Sequence, residues 1–500
     1  MPTRLRIALL ILLLVPAFAG AQVQPDEYAS RRQALAAQIG RGAVVAFGTP
    51  EPRVDYLAFV QGSRFYYLTG YREPSSILVT IANQGRAASM LFVHPRDPAT
   101  EVWSGRRFGP EGAEEATGIP ARPLDQFETV LDSLARGGVP LSLVSDAANA
   151  DGDNPDLTRI RTLLGDGAPT IADAGEAVDR LRGTKSPAEL ELIRKAVAMT
   201  VGAQREAMRA IEPGMNEFEV QALIEYTFRR NGADRPGFAT IVGSGPNSTT
   251  LHYNANDRFM QEGELVVMDI GASYRGYTAD VTRTVPVNGT FSPEQRRIYE
   301  IVRAAQAAAE RAATLGSDAV ILTQAAAQVL ALGLTRLGLI QAPDATYDCP
   351  ARGEISQCLQ LQLFYMHGLG HGIGLDVHDP EQFYHTRRIE AGSAFTIEPG
   401  LYVRANVLET LPETPRNREI ASALRDAVAR YANIGVRIED DYIATAQGVE
   451  WISRAPRELS EVEEAMRAPY TGPAPRDPGI IDWYRATEPR PALPAPPPNR

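Results

Sequence analysis

The sequence is poor in lysine, cysteine and histidine, and it contains no block of basic residues. Its 500 residues include 2 cysteines and 6 histidines, and Lys185 and Lys195 are its lysines. The formal net charge is -11, and an acidic chain without a basic block is a poor partner for nucleic acid or anionic lipid. We therefore expect no nucleic-acid partner. The preference for arginine over lysine indicates genome composition rather than function.

Long apolar runs are also missing, apart from a short one at the N-terminus. Residues 1–21 carry two arginines, an apolar run over 7–15, and small residues at Ala17, Ala19 and Ala21. This is the pattern of a secretory signal peptide, and the run is too short to span a bilayer as a mature helix. We predict an exported protein, periplasmic or secreted, without a membrane span.

The rest of the chain divides into three parts. Alternating strand and helix patterns predict an α/β domain over 22–180. A capping box from Ser186 to Glu189 then opens a helix, and strand and helix patterns continue over 181–467. Residues 468–500 are rich in proline, which predicts an extended, largely disordered tail.

Two aspartates lie within residues 266–284, a stretch that otherwise predicts a β-hairpin. Asp269 and Asp280 are eleven residues apart, with the midpoint between Tyr274 and Arg275. In a hairpin with an even-membered turn, this spacing puts both side chains on one face, opposite each other or one diagonal apart. Their charges repel, and partial burial would raise at least one pKa unless a cation lies between them. Alone, such acids more often cap turns or pair with arginine.

Histidines and glutamates downstream favour a metal site instead. Three histidines lie within twelve residues among glycines, which allow close backbone approach, and two glutamates follow in strand patterns. The candidates are His252, His367, His371, His378, Glu398 and Glu439. Two aspartates, two glutamates and one histidine can hold two divalent ions that activate a water molecule. Such an oxygen-rich set favours Mn²⁺, although Zn²⁺, Co²⁺ and Fe²⁺ also fit.

From about residue 180 to 465, the order of these motifs resembles the creatinase and methionine-aminopeptidase superfamily. The resemblance implies an α+β fold, with a C-terminal pita-bread catalytic domain over 181–467 preceded by a smaller α/β domain. The metal ligands that it implies are Asp269, Asp280, His371, Glu398 and Glu439. It assigns substrate binding or proton transfer to His252, His367 and His378, proton transfer also to Glu398, and places Arg437 and Tyr402 behind the ligands.

Four further stretches indicate the branch of this superfamily. "IVGSGPNSTTLHYNAND" and "HGLGHGIGLDVHD" are similar to the proline-specific branch. "YYLTGYREPSSILV" and "EVWSGRRFGPEGAEEATGI" most resemble aminopeptidase P, with prolidase next. The resemblance implies a homo-oligomer, dimer or tetramer, that cleaves peptides with proline at the second position. The alternatives are a dipeptidase restricted to Xaa-Pro dipeptides and a metal-free binding protein. The complete ligand set argues against the second.

Two segments look longer than the compact form of this family. The first, 343–360, contains Cys349 and Cys358, which could form a disulfide in an oxidising compartment or remain free thiols. The second, 404–433, is rich in charged residues. It could cover the mouth of the active site or form an oligomer contact.

Overall fold

The computed structural model describes residues 23–54, 58–147, 153–351 and 354–473, together with Gly479. The signal-peptide prediction and most of the tail prediction concern residues outside this part of the chain. Among the described residues, the helix Val320–Leu337 is long and apolar enough to cross a membrane by length and composition alone. This is weak evidence for a span, because core helices of globular proteins also meet those criteria.

The N-terminal part is an α/β domain built on a mixed sheet of 6 strands. Its strands are β1 (Arg41–Phe47), β2 (Ile77–Asn83), β3 (Arg86–Val93), β4 (Ala121–Pro123), β5 (Leu141–Val144) and β6 (Ile171–Asp173). Its helices are α1 (Pro25–Ile39), α2 (Ser63–Thr69), α3 (Pro98–Ser104), α4 (Gly109–Thr117), α5 (Phe127–Arg136), α6 (Pro155–Leu164) and α7 (Gly175–Arg182). The strand order is β4-β3-β2-β1-β5-β6. β1 lies inside the sheet and is apolar along nearly its whole length, as expected for a strand that is covered on both faces.

The C-terminal part combines longer helices with short antiparallel strands. The helices are α8 (Pro187–Ala210), α9 (Glu217–Arg230), α10 (Pro293–Ala312), α11 (Val320–Leu337), α12 (Phe383–Thr386), α13 (Pro415–Tyr431) and α14 (Leu459–Arg467). The strands are β7 (Arg235–Pro236), β8 (Ile241–Ser244), β9 (Leu265–Ile270), β10 (Ala272–Tyr274), β11 (Tyr277–Thr278), β12 (Val281–Pro286), β13 (Thr346–Ala351), β14 (Glu354–Leu359), β15 (Ala394–Ile397), β16 (Gly400–Val403), β17 (Ile434–Arg437), β18 (Asp440–Thr445) and β19 (Gly448–Trp451). α8 packs on β9 to β12, and α10 packs on β15 to β17.

The predicted start of α8 is confirmed. The Ser186 hydroxyl accepts a hydrogen bond from the Glu189 N–H, and the Glu189 carboxylate accepts one from the Ser186 N–H. The same reciprocal pair opens α9 at Asn216 and α10 at Ser292. These caps fix where the helices begin, because they satisfy backbone donors that have no partner within the helix.

The hairpin has the diagonal register, which is one of the two arrangements that the spacing of the aspartates predicts. The turn is centred on Arg275 and Gly276, whose φ angles are 51° and 88°. Positive φ at both central residues is typical of the tight turns that match strand twist. Asp269 therefore pairs with Thr282, and Asp280 lies one diagonal away on the same face. The prediction that the two aspartates share one face, opposite each other or one diagonal apart, is confirmed.

The two longer segments pack against each other. β13 and β14 form a hairpin closed by a disulfide between Cys349 and Cys358. The Asp348 carboxylate accepts a hydrogen bond from the Thr414 hydroxyl at 2.6 Å. The Asn417 side chain accepts one from the Asp348 N–H and donates one to its carbonyl. This hairpin is therefore anchored to the first turn of α13.

Candidate active site

The four predicted carboxylate ligands lie at or next to the ends of strands in the C-terminal part. Asp269 is the next-to-last residue of β9, and Asp280 directly precedes β12. Glu398 lies between β15 and β16, and Glu439 lies between β17 and β18. One ligand atom each from Asp280, His371 and Glu439 lies within 4.8 Å of the other two. Two acids that are far apart in sequence, Asp280 and Glu439, therefore face the same small volume.

His371 completes this cluster from a glycine-rich loop. Its Nε2 lies 3.5 Å from Asp280 Oδ2 and 3.4 Å from Glu398 Oε1. Its Nδ1 lies 3.0 Å from the Gly372 carbonyl oxygen, an acceptor that fixes the proton on Nδ1 and leaves the Nε2 lone pair facing the acids. A Cβ on Gly370 would lie 2.7 Å from the Thr396 carbonyl oxygen, so the loop can approach β15 this closely only with glycine there.

Asp280, Glu398 and Glu439 are not easily ionised when no cation is present. Burial, followed by repulsion from Glu439 and Asp269, raises the pKa of Asp280 well above its usual value. Burial raises the pKa of Glu398 to about 8, although Arg437 opposes this shift. Burial and the charge of Glu398 likewise raise the pKa of Glu439. Desolvation dominates each shift, because each carboxylate gives up water and gains mostly negative neighbours.

Neutral imidazole and unpaired carboxylate oxygens fit a divalent cation. Burial, together with His378, lowers the pKa of His371 to about 3. Among the described residues, Asp269 Oδ1 and Asp280 Oδ1 are buried without a hydrogen-bond donor. Acceptor atoms without donors are costly in a protein interior, and bound cations would satisfy them. This donor set of carboxylates and one imidazole suits Mn²⁺, Zn²⁺ or Fe²⁺.

A hydrogen-bonded chain leads from the ligands to a histidine on the cavity wall. Arg437 donates to Asp269 Oδ2 at 2.6 Å and to the Tyr402 hydroxyl at 2.8 Å. The Tyr402 hydroxyl lies 2.9 Å from His367 Nε2, and His367 Nδ1 lies 2.7 Å from the Gly368 carbonyl oxygen. His367 therefore carries its proton on Nδ1, and the Tyr402 hydroxyl donates to Nε2. Burial lowers the pKa of His367 to about 3, which keeps the ring neutral.

Thr282 is a site residue that sequence reasoning missed. Its hydroxyl donates to Glu439 Oε2 at 2.6 Å and accepts from Arg437 Nε at 3.3 Å. The available signal was its position two residues after Asp280, on the same face of the strand. Thr282 thus links the aspartate hairpin to the glutamate at the far end of the chain.

The cluster forms one side of a cavity of about 570 Å³. Nine of the predicted site residues line it: His252, Asp269, Asp280, His367, His371, His378, Glu398, Arg437 and Glu439. Tyr402 lies behind them and is fully buried. His378 is half-exposed, and its ring centroid lies 4.0 Å from that of His371. No described residue of 404–433 lines this cavity. The roles assigned to the site residues stay predictions.

Comparison with known proteins agrees with this geometry. The profile of the aminopeptidase P N-terminal domain matches residues 28–140, and that of metallopeptidase family M24 matches residues 191–446. The chain is 33% identical to the Xaa-Pro aminopeptidase of Escherichia coli over 470 residues, which covers 89% of this chain and 98% of that protein. It is 30% identical to Xaa-Pro aminopeptidase 3 of Mus musculus, covering 88% of this chain and 85% of the relative.

Solved structures resemble the fold over the same range. Escherichia coli aminopeptidase P with the inhibitor Pro-Leu matches with a TM-score of 0.74 and 32% identity, covering 89% of this chain and 98% of that chain. Proline aminopeptidase P II from Yersinia pestis matches with a TM-score of 0.74 and 31% identity, covering 89% and 99%. These matches confirm the α+β fold, with an aminopeptidase P N-terminal domain before the catalytic domain. Since the M24 profile covers more than half of the chain, this protein belongs to metallopeptidase family M24.

Proposed function

We propose that this protein is an Xaa-Pro aminopeptidase, which hydrolyses the bond between an N-terminal residue and a following proline. The observation that carries the proposal is the convergence of four carboxylates and His371 on one wall of a cavity. Its family and the names of its relatives support the same reaction. We further propose that the site holds two divalent ions, with Mn²⁺ as the first candidate, through Asp269, Asp280, His371, Glu398 and Glu439.

Bound divalent ions would supply a nucleophile from water at neutral pH and polarise the scissile carbonyl. Glu398 is suited to the proton transfers, because its carboxylate lines the cavity beside the His371 ring, within reach of a water molecule held by the ions. It would accept the proton released by water and deliver it to the proline nitrogen. His378 and His252 line the same cavity, where their N–H groups could stabilise negative charge on the former carbonyl oxygen.

The apolar part of the cavity provides a structural basis for a preference for proline. Phe238, Ile241, Leu251 and Val377 line it together with the histidines. Proline has a compact, rigid ring, and its tertiary amide has no N–H to satisfy. An apolar subsite therefore accepts proline without leaving a buried donor unpaired, whereas any other residue at this position would bury its N–H.

The connection of the cavity to a larger space supports the cleavage of peptides longer than two residues. The cavity shares His378, Glu381 and Gln382 with a larger space of about 1010 Å³ between the two domains. A peptide chain beyond the proline could extend there. The relatives named above are aminopeptidases, so the comparison does not favour the dipeptidase alternative.

Hydrolysis of a small peptide panel tests this function. Metal-free protein is reloaded with Mn²⁺, Zn²⁺ or Co²⁺ and offered an Xaa-Pro dipeptide, an Xaa-Pro-Pro tripeptide and the matching Xaa-Ala-Pro peptide. We expect metal-dependent release of the first residue from the tripeptide and none from the alanine peptide. Cleavage of the dipeptide alone would establish the dipeptidase. No bound ion and no activation by any of the metals would instead support a binding protein.

We also propose that the protein is exported, to the periplasm or the medium, and that it forms a homo-oligomer. The signal-peptide pattern and the disulfide, which is typical of oxidising compartments, support export. Fractionation of cells with N-terminal sequencing of the mature chain tests it, and an uncleaved cytoplasmic chain would contradict it. Light scattering during gel filtration gives the assembly state, for which we expect a dimer or tetramer.

A further inference from the structure

Two buried glutamines each contact the backbone beside the predicted carboxylate ligands. Gln204 lies on α8 and Gln306 lies on α10, and the side chains of both are fully buried. α8 covers the strands that carry the two aspartates, and α10 covers those that carry the two glutamates. A buried glutamine therefore lies behind the aspartate side of the site, and another lies behind the glutamate side.

Gln204 joins the two strands of the aspartate hairpin. Its Nε2 donates to the Met268 carbonyl at 3.0 Å and to the Val281 carbonyl at 2.8 Å. Met268 directly precedes Asp269, and Val281 directly follows Asp280. One amide group therefore fixes the spacing of the backbone next to both aspartates.

Gln306 contacts the backbone next to both predicted glutamate ligands in the same way. Its Nε2 lies 3.3 Å from each of the carbonyl oxygens of Ile397 and Ile438 and 2.8 Å from Asp440 Oδ2. Ile397 directly precedes Glu398, and Ile438 directly precedes Glu439. Because every partner of both amides is an acceptor, the nitrogen of each side chain must face them.

The amide oxygens of these two glutamines make no corresponding hydrogen bonds among the described residues. Gln204 Oε1 and Gln306 Oε1 are both buried without a hydrogen-bond donor among the described residues. A buried acceptor without a partner destabilises a fold, so the contacts of the oxygen do not explain why a glutamine lies at either position. The same feature at both helices indicates that the contacts made by the nitrogens serve the site.

We propose that Gln204 and Gln306 are positioning residues that hold the peptide units beside the four carboxylate ligands and so set the affinity for divalent ions. This inference rests on the proposed two-metal site. Ligand carboxylates that can drift apart bind a cation less tightly, because part of the binding free energy is then used to bring them together. Neither glutamine touches substrate, and their effect on turnover passes through the ligands.

Isosteric substitution tests the inference. Gln204→Met and Gln306→Met keep the volume and remove the amide. The control is Gln295→Met, also on α10 and buried, whose amide donates to the Gly263 carbonyl at 2.8 Å and accepts from the Ser292 N–H at 2.8 Å in the cap of α10. Gly263 lies six residues before Asp269, up to about 20 Å away along an extended chain. Full-length metal-free protein is titrated with Mn²⁺ by calorimetry, and its thermal midpoint is measured without metal.

We expect both variants to bind Mn²⁺ about 10- to 100-fold more weakly than the wild type. The metal-free thermal midpoint should fall no further than in the Gln295→Met control, which should keep the wild-type affinity. Gln204→Asn and Gln306→Asn provide a second test if a methionine variant does not fold, since the shorter amide no longer reaches the carbonyls. Unchanged Mn²⁺ affinity in a folded variant, or equal weakening in the control, would overturn the inference. A wild-type protein that binds no divalent ion would overturn the proposed function itself.

Discussion

Among single residues, Asp280 gives the most direct test of the predicted metal site. Its burial, followed by repulsion from Glu439 and Asp269, raises its pKa well above the usual value. We expect Asp280→Asn to abolish peptidase activity, since it removes a predicted ligand. The metal-free variant should unfold at the same temperature as the wild type or higher, because the mutation relieves like-charge repulsion. Parallel activity assays and thermal melts in chelator check this, and full turnover by the variant would contradict the ligand assignment.

Glu398 gives the metal-free protein a predictable pH dependence. Its pKa is about 8 when folded, against an ordinary value of 4.5, so the folded state binds a proton more tightly than the unfolded state. The contribution of Glu398 to stability is fully present below about pH 4.5 and is lost as the pH rises to about 8. The free energy of unfolding in chelator should therefore fall over this window.

Urea unfolding at pH 5 and pH 8 measures that slope, with Glu398→Gln as the matched variant. The variant has no carboxyl group at this position and should show a smaller fall. The opposite trend is expected for Mn²⁺, whose affinity should rise with pH because the ligands must lose their protons. Equal slopes in the wild type and in Glu398→Gln would contradict the assignment of this pKa.

Among secondary-structure elements, the hairpin of β13 and β14 is separable from the site. The double substitution Cys349→Ser with Cys358→Ser removes the disulfide that closes it. We expect a loss of about 2–3 kcal/mol in unfolding free energy, since the disulfide closes a short loop. kcat/KM should stay at the wild-type value, because none of the hairpin residues that the structure describes lines the cavity. Denaturant titration and kinetics with the tripeptide check both parts. A large fall in kcat/KM would show that the hairpin is coupled to the glycine-rich loop that carries His371.

For the molecule as a whole, Arg182 connects the N-terminal domain to the loop that carries His378. It ends α7, is nearly fully buried, and lies 2.9 Å from the Asp379 carboxylate. Arg182→Met leaves that carboxylate buried with less compensation, which typically costs about 3–5 kcal/mol. We expect lower stability and lower kcat/KM, because Asp379 directly follows His378.

The control for this substitution is Arg180→Met on the same helix. Arg180 pairs with Glu176, and both side chains are mostly exposed. Exposed pairs of this kind contribute little to stability, so denaturant titration should show almost no change. An equal loss in both variants would mean that the domain contact does not depend on the buried pair.

Much of this architecture could be predicted from local sequence pattern. The capping box at Ser186 placed the start of α8, and the odd spacing of Asp269 and Asp280 placed them on one face. Both features depend on residues close together in the chain, where backbone geometry leaves few alternatives. The order of the distant motifs identified the family for the same reason, since each motif is a short local pattern.

Other features depend on contacts that no local pattern specifies. The hairpin register followed from the left-handed conformation of Arg275 and Gly276, which put Thr282 opposite Asp269 and left Asp280 one diagonal away. The bond from Thr282 to Glu439 joins residues 157 positions apart, and the amides of Gln204 and Gln306 reach strands far along the chain. The sequence thus specified which acids were available and which face they share. The packing of α8 and α10 on distant strands set the separation between these acids, because that distance is fixed by contacts between segments of the chain rather than within them.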